Sequence, residues 1–83
     1  MSARSRWRLG RLRPLSFREV KRRLEAAGFI ETSQRGSHVK FVRRQGEAVD
    51  TAIVPRHAEI AAGTLRSILN QAHLDPEQWD RLA

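Results

Sequence analysis

The stretch FIETSQRGSHVKFVRRQGEAVDTAIV, residues 29–54, decides the fold, because its apolar residues tend to alternate with polar ones instead of recurring at helical spacing. Gly36 and Gly46 divide it into three short runs. We predict strands at about 29–34, 37–43 and 48–54. Connections this short require neighbouring strands to be antiparallel, so the stretch predicts a three-stranded antiparallel meander.

The alternation also assigns side chains to the two faces of this sheet. In the middle strand Val39 and Phe41 point one way, and His38 and Lys40 point the other. We expect Val39 and Phe41 to face the helices. In the third run the alternation is imperfect, which allows a β-bulge there. Pro55 closes that strand, because proline has no N–H to give to the ladder.

Two segments that flank the sheet carry apolar residues at helical spacing. The first begins at Ser16, whose hydroxyl we expect to accept a helix amide while the Glu19 carboxylate reaches back to the cap, and it ends at Gly28. In the second, Gly63 or Thr64 is placed to cap the helix. The apolar positions are Phe17, Val20, Leu24 and Ala27 in the first helix and Leu65, Ile68, Leu69 and Ala72 in the second.

A short third helix is predicted near residue 76. Asp75, Pro76 and Gln78 have the spacing of a cap, a first-turn proline and a capping partner, with Trp79 and Leu82 as the apolar side. The predicted order is therefore helix, three strands, helix and short helix. This is a small α+β domain in which both longer helices cover one face of the sheet.

Composition excludes several classes of protein. The chain has 83 residues and no cysteine, which indicates one domain without a disulfide scaffold, a thiolate zinc site or a cysteine nucleophile. No apolar run approaches the roughly 20 residues that a membrane helix needs. The N-terminus carries charges but no apolar segment of the signal-peptide type. We therefore expect a cytoplasmic protein with no membrane contact.

The formal net charge of +7 is unevenly placed along the chain. Five arginines give residues 1–14 a charge of +5, whereas 11 basic and 9 acidic residues leave +2 for residues 15–83. We predict a flexible basic arm at 1–14 and a single domain at 15–83. Such an arm attracts phosphate, but it is also typical of a solvated leader or of a translation start placed upstream. The arginines are Arg4, Arg6, Arg8, Arg11 and Arg13.

Most catalytic templates do not fit this sequence. It has no paired carboxylates at a useful spacing and no glycine-rich phosphate loop. His38, His57 and His73 fall in three different predicted elements, so we expect no metal site.

His38 is the one candidate that remains for catalysis. Gly36 permits a tight turn just before it, and Arg35 and Lys40 lie close enough to hold a phosphate group beside it. A positioned histidine can take the proton of a ribose 2′-OH or protonate the leaving 5′-oxygen, and RNA offers that internal nucleophile whereas DNA does not. On spacing alone, a solvated histidine beside a turn is the favoured interpretation, and catalysis by His38 is the alternative.

The motifs together resemble the HicA family, the small toxins of bacterial and archaeal toxin-antitoxin pairs, also described as YcfA-like proteins. The resemblance runs from about Leu15 to Trp79. It includes Gly-Ser-His at 36–38 and Gly-Thr-Leu-Arg-Ser-Ile-Leu at 63–69, in the family's order and separation. The stretches SFREVKRRLEAAGF, residues 16–29, and VPRH, residues 54–57, agree with it as well.

This resemblance implies a double-stranded-RNA-binding-like fold and the toxin of a type II toxin-antitoxin system. Such a toxin is an mRNA interferase, a ribosome-independent endoribonuclease, with His38 as its single general acid-base residue. Gly36 and Ser37 would present His38 and contact RNA, while Arg35 and Lys40 are placed at the RNA by proximity. The resemblance implies no metal and no organic cofactor. The implied partners are an mRNA substrate and a HicB-type antitoxin, with a monomeric free toxin and a hetero-oligomer with the antitoxin.

Two features depart from the family. His73 stands where many relatives have glycine, so the second helix either adopts a left-handed residue there or ends differently. The arginine arm is the other departure. His57 is shared with many relatives, and we expect it to be structural or adjacent to the substrate. A non-catalytic RNA-binding module of the same fold, or a protein that acts solely by docking a partner chain, remains an alternative.

Overall fold

The computed structural model describes residues 12–83, and these form a helix, a three-stranded sheet, a second helix and a short third helix, as predicted. The elements are α1 (Phe17–Ala26), β1 (Ile30–Arg35), β2 (His38–Gln45), β3 (Ala48–Pro55), α2 (Ala62–Ala72) and α3 (Pro76–Arg81). The predicted arm lies outside the described residues except for its last three. Within residues 12–83, no helix is long and apolar enough to cross a membrane.

The three strands pair in the order β1-β2-β3, with both pairs antiparallel. Each hairpin has a two-residue loop that begins with glycine, and Gly36 and Gly46 have φ angles of 59° and 61°. A positive φ at the first loop position is the requirement of a type II′ turn, whose twist matches that of the flanking strands. The glycines that divide the sequence into three runs therefore also fix the register of the sheet.

The bulge suggested for the third strand is absent from it, and that prediction was wrong. The β2–β3 pairing runs without a shift, whereas the β1 register shifts between Glu31 and Ser33. The β3 alternation is in fact regular, because Val49 and Ile53 are apolar residues that face outward. The irregularity is tolerated in β1 because this edge strand is exposed along its length, so that an extra residue displaces no core side chain.

The core lies between the helices and the inner face of the sheet. Val39 and Phe41 are fully buried in it, as predicted. The remaining large buried side chains come from β3, from all three helices and from the connections between elements. They include Val20, Leu24, Phe29, Ile60, Leu65, Ile68 and Trp79.

The start of α1 confirms one half of the predicted capping box. The Ser16 hydroxyl accepts the Glu19 amide at 3.1 Å. The Glu19 carboxylate does not reach back to the cap, because it accepts from Arg22 at 2.6 Å and from Arg23 at 2.7 Å, one turn further along the helix. The hydrogen bond from Arg22, followed by that from Arg23, lowers the pKa of Glu19 to about 2.

Arg23, which bonds to Glu19, also contacts the short third helix. Its Nη1 donates to the Trp79 carbonyl at 3.3 Å, and its guanidinium carbon lies 5.2 Å from the centre of the Trp79 ring. The first turn of α3 has the predicted capping box between Asp75 and Gln78. The C-terminal helix is therefore fixed at its start by its own cap and near its end by α1.

Neither Gly63 nor Thr64 caps α2, contrary to the sequence prediction. The helix begins at Ala62, and its N-cap is Ala61, which has no side-chain acceptor. Two bonds between Leu15 and Ile60, at 3.1 Å and 2.7 Å, hold the preceding chain in an antiparallel bridge. This tertiary bridge ends directly before Ala61, and it sets the start of the helix in place of a polar cap.

Both longer helices end at a left-handed residue. Gly28 has a φ of 102°, and His73 has a φ of 56°. Of the two alternatives left open at His73, the left-handed conformation is therefore the one found. At each end the next amide bonds back five residues, which defines a Schellman motif. These bonds are Phe29 N–H to Leu24 O at 2.9 Å and Leu74 N–H to Leu69 O at 3.0 Å.

Candidate active site at the first hairpin

His38 is the first residue of β2 and lies directly after the Gly36–Ser37 loop. The register pairs it with Arg35 across the loop and with Pro55 on the other side. A Cβ added at Gly36 would meet no atom within 4 Å, so the positive φ, not a lack of space, is what requires glycine there. The hairpin thus presents His38 at the end of the sheet between two other strands.

Two residues that the sequence analysis did not single out support this loop. Gln34 Nε2 donates to the Gly36 carbonyl at 2.9 Å and its Oε1 accepts from Arg56 at 3.3 Å. The Arg56 amide donates to the Ser37 carbonyl at 2.6 Å, and its guanidinium carbon lies 4.6 Å from the centre of the buried Phe17 ring. Gln34 lies two residues before the Gly-Ser-His motif, and Arg56 falls inside the VPRH stretch. Their role depends on the strand register, which those stretches do not reveal.

The outward side of the sheet, which we call the open face, carries no helix among the described residues. His38 and Lys40 are exposed on it and Val39 is buried behind it, as predicted. Cross-strand pairing adds Arg35 beside His38 and Ile53 beside Lys40. The described members of the open face are Ile30, Ser33, Arg35, His38, Lys40, Val42, Arg44, Val49, Thr51, Ile53 and Pro55.

The charge of the open face is entirely basic within residues 12–83. The two strand carboxylates lie on the inner side: Glu31 bonds to Lys21 of α1 at 2.9 Å, and Asp50 bonds to Arg43 at 2.7 Å. Within the described part of the chain, the side chains of Arg35, His38 and Lys40 have no hydrogen-bond or ion-pair partner. Their donors are therefore available to an anionic ligand.

A second polar cluster, which we call the closed end, lies at the opposite end of the sheet and was not predicted. It consists of Arg43, Asp50 and His73. Arg43 Nη2 donates to Asp50 at 2.7 Å, and His73 Nδ1 lies 2.7 Å from the other Asp50 oxygen. The hydrogen bond from Arg43, followed by that from His73, lowers the pKa of the Asp50 carboxyl below its usual value.

Arg43 also joins the ends of the two longer helices. Its guanidinium donates to the Ala27 carbonyl at 3.2 Å and to the Ala72 carbonyl at 3.3 Å, and it lies 4.7 Å from the centre of the Phe29 ring. These carbonyls belong to the negative ends of α1 and α2. The closed end therefore has a structural role. Within residues 12–83, no group of three or more histidine and acidic side chains is placed to hold a metal ion.

A family model described as the HicA toxin of bacterial toxin-antitoxin matches residues 17–74, well over half of the chain. The chain belongs to the HicA toxin family. In this HicA toxin the matched region begins with α1 and ends two residues after α2, so it contains His38 and all the predicted contact residues. No curated protein matches the chain.

Proposed function

We propose that this HicA toxin is a ribosome-independent mRNA endoribonuclease, the toxin of a type II toxin-antitoxin system, with His38 as a general acid-base residue. The observation that carries the proposal is the placement of His38. It is exposed at the Gly36 turn, it lies opposite Arg35, and Lys40 follows two residues later on a carboxylate-free face. Membership of a toxin family supports the choice of a cleaving enzyme over a module that only binds RNA.

The two cations hold the scissile phosphate in this proposal. The planar guanidinium of Arg35 can donate two parallel hydrogen bonds to phosphate oxygens, while Lys40 supplies a point charge on a flexible stem. Gly36 and Ser37 keep the loop narrow, so that the RNA backbone approaches His38 without meeting a bulky side chain. Phosphate binding at this place brings a ribose 2′-OH within reach of the imidazole.

The chemistry follows from the ribose. An imidazole that accepts the 2′-OH proton lets the 2′-oxygen attack the adjacent phosphorus, and an imidazolium that donates a proton assists departure of the 5′-oxygen. General acid-base catalysis of this kind contributes about 10²- to 10⁴-fold. The proposal requires neither a metal ion nor an organic cofactor, since both steps are proton transfers. A substrate of messenger RNA places the activity in the cytoplasm.

A HicB-type antitoxin is the protein partner in this proposal, and it would cover the open face. Three large apolar residues are exposed there beside the cations, namely Ile30 at 65%, Val49 at 50% and Ile53 at 38%. A mixed apolar and basic surface is complementary to a partner with apolar and acidic side chains. The free toxin is then a monomer, and the inhibited form is a hetero-oligomer.

The experiment compares purified wild type with His38→Ala on labelled messenger RNA in the absence of ribosomes. We expect a loss of about 10²-fold or more in the cleavage rate. His73→Gly is the matched control, because it removes another exposed histidine at the far end of the sheet and should leave cleavage unchanged. An RNA with 2′-deoxyribose at the cleaved position should stay intact, since the internal nucleophile is missing.

The same pair of variants separates the proposal from its alternatives. Equal cleavage by wild type and His38→Ala would remove His38 from the mechanism. RNA binding with steep salt dependence but without any cleavage product would instead identify a non-catalytic binding module. Induction of the two proteins in cells should give arrested growth for wild type and normal growth for His38→Ala, and coexpression with the antitoxin should restore growth.

A further inference from the structure

The chain that leaves β3 carries a second histidine to the same end of the sheet as His38. Pro55 is the cross-strand partner of His38, and the Arg56 amide bonds to the Ser37 carbonyl at 2.6 Å. The His57 amide then donates to the Pro55 carbonyl at 2.9 Å, which turns the chain sharply after the strand. Paired Cα atoms lie about 5 Å apart and two residues span at most about 7 Å, so the Cα atoms of His38 and His57 lie within about 12 Å.

The surroundings of His57 resemble those of His38 and not those of His73. His57 is exposed, and its side chain has no hydrogen-bond or ion-pair partner within residues 12–83. His73, in contrast, is bonded to Asp50 at 2.7 Å. The charged residues nearest to His57 along the chain are Arg56 and Glu59. The His57 imidazole therefore takes no part in the hydrogen bonding of the described residues and is available to a ligand.

The proposed reaction requires two proton transfers. The bond from phosphorus to the 5′-oxygen breaks as the 2′-oxygen bonds to phosphorus, giving a 2′,3′-cyclic phosphate and a 5′-hydroxyl. One group accepts the 2′-OH proton and another donates a proton to the leaving oxygen, so a neutral imidazole and an imidazolium on either side of the phosphate fill both roles. His38 alone fills only one of them in a concerted step.

We propose that His57 is the second proton-transfer residue of this site and acts as the complement of His38, one histidine as base and the other as acid. The inference rests on the proposed ribonuclease function. The β2–β3 register brings Pro55 beside His38, and the turn that follows β3 keeps His57 near it. This role of His57 also gives a physical reason for the support of the Gly36 loop by Arg56, because the residue that steadies one histidine directly precedes the other.

Two substrates test this proposal with the full-length protein. One is an ordinary RNA oligonucleotide, and the other carries sulfur in place of the leaving 5′-oxygen at the same linkage. A thiolate leaves without protonation, so loss of the acid is tolerated on the sulfur substrate, whereas loss of the base is not. At saturating substrate, we expect His38→Ala and His57→Ala each to cleave ordinary RNA about 10²-fold more slowly. Exactly one of the two should return to within about tenfold of wild type on the sulfur substrate.

Control measurements distinguish a failure of the proposed role of His57 from a failure of the proposed ribonuclease function. Urea unfolding midpoints of both variants should equal that of wild type, and His73→Gly should cleave both substrates normally. Wild-type cleavage together with normal cleavage of ordinary RNA by His57→Ala would overturn the second role and leave His38 in place. Rescue of both variants or of neither would overturn the division into acid and base. A wild type that cleaves neither substrate would overturn the proposed function itself.

Discussion

An arginine and a histidine lie at each end of β2, but their side chains are hydrogen-bonded at one end and unbonded at the other. At the closed end, Arg43 and His73 are both bonded to Asp50, and Arg43 also satisfies carbonyls from two helices. At the other end, beside the Gly36–Ser37 loop, Arg35 and His38 form what we call the open end, and neither side chain has a partner in the described part of the chain. Each end thus combines a histidine with an arginine, but only the closed end provides a carboxylate and helix carbonyls as their partners.

This difference indicates that the closed end stabilises the fold and that the open end is available to a ligand. Donors that are bonded to a carboxylate and to helix carbonyls are used by the fold, because their removal leaves those acceptors unpaired. Donors and a titratable ring without an internal partner contribute little to the fold and remain available to a ligand. Substitutions at the closed end should therefore change stability, and substitutions at the open end should change activity alone.

The largest effect on stability is expected for Arg43→Ala. This change removes the hydrogen bonds to Asp50 and to the Ala27 and Ala72 carbonyls, and we expect the free energy of unfolding to fall by about 3 kcal/mol. Urea denaturation followed by circular dichroism measures it. Arg44→Ala is the matched control, because the next residue of the same strand faces outward and should change the free energy of unfolding by less than about 0.5 kcal/mol. Equal losses for the two variants would show that the closed end has no special role.

A smaller effect is expected at His73, where two contributions can be separated. His73→Ala keeps a side chain in the left-handed conformation and loses the bond to Asp50, whereas His73→Gly loses the same bond but removes the backbone strain. We expect His73→Ala to have a free energy of unfolding about 1–2 kcal/mol lower than that of His73→Gly, from unfolding midpoints in urea. Gly28→Ala at the matching position of α1 provides the comparison, and it should destabilise in the same direction.

The sequence predicted the open end better than the closed end, and the reason lies in the range of the contacts. The Gly36 turn, the inward Val39 and the outward His38 follow from neighbours in the chain, through turn chemistry and a period of two. At the closed end, Arg43 and Asp50 are already cross-strand partners in the β2–β3 hairpin, but His73 joins them only after α2 packs on the sheet. No local pattern indicates such a meeting.

The other errors of the sequence analysis have three different physical causes. The start of α2 follows from the bridge between Leu15 and Ile60, and not from Gly63 or Thr64. The Glu19 carboxylate had two possible partners, the cap behind it and the arginines ahead, and the charged partners prevailed because bonds to ionised donors are stronger. The alternation of β3 looked imperfect, and so allowed a bulge, because Val49 and Ile53 are apolar although the open face exposes them.

The smallest expected effect concerns the cations of the open face, and it separates phosphate contact from catalysis. In a cleavage-deficient His38→Ala background, Lys40→Gln and Arg35→Gln should each weaken binding of single-stranded RNA and lower the slope of log K against log salt by about 0.7 per lost phosphate contact. Arg81→Gln, an exposed change in α3, is the charge-matched control and should leave the slope unchanged. Unfolding midpoints should be the same for all three, because Lys40 and Arg35 have no partner within residues 12–83 to lose. A lowered slope for Arg81→Gln as well would mean that net charge attracts the RNA, whereas a change confined to Lys40 and Arg35 would localise the phosphate beside His38.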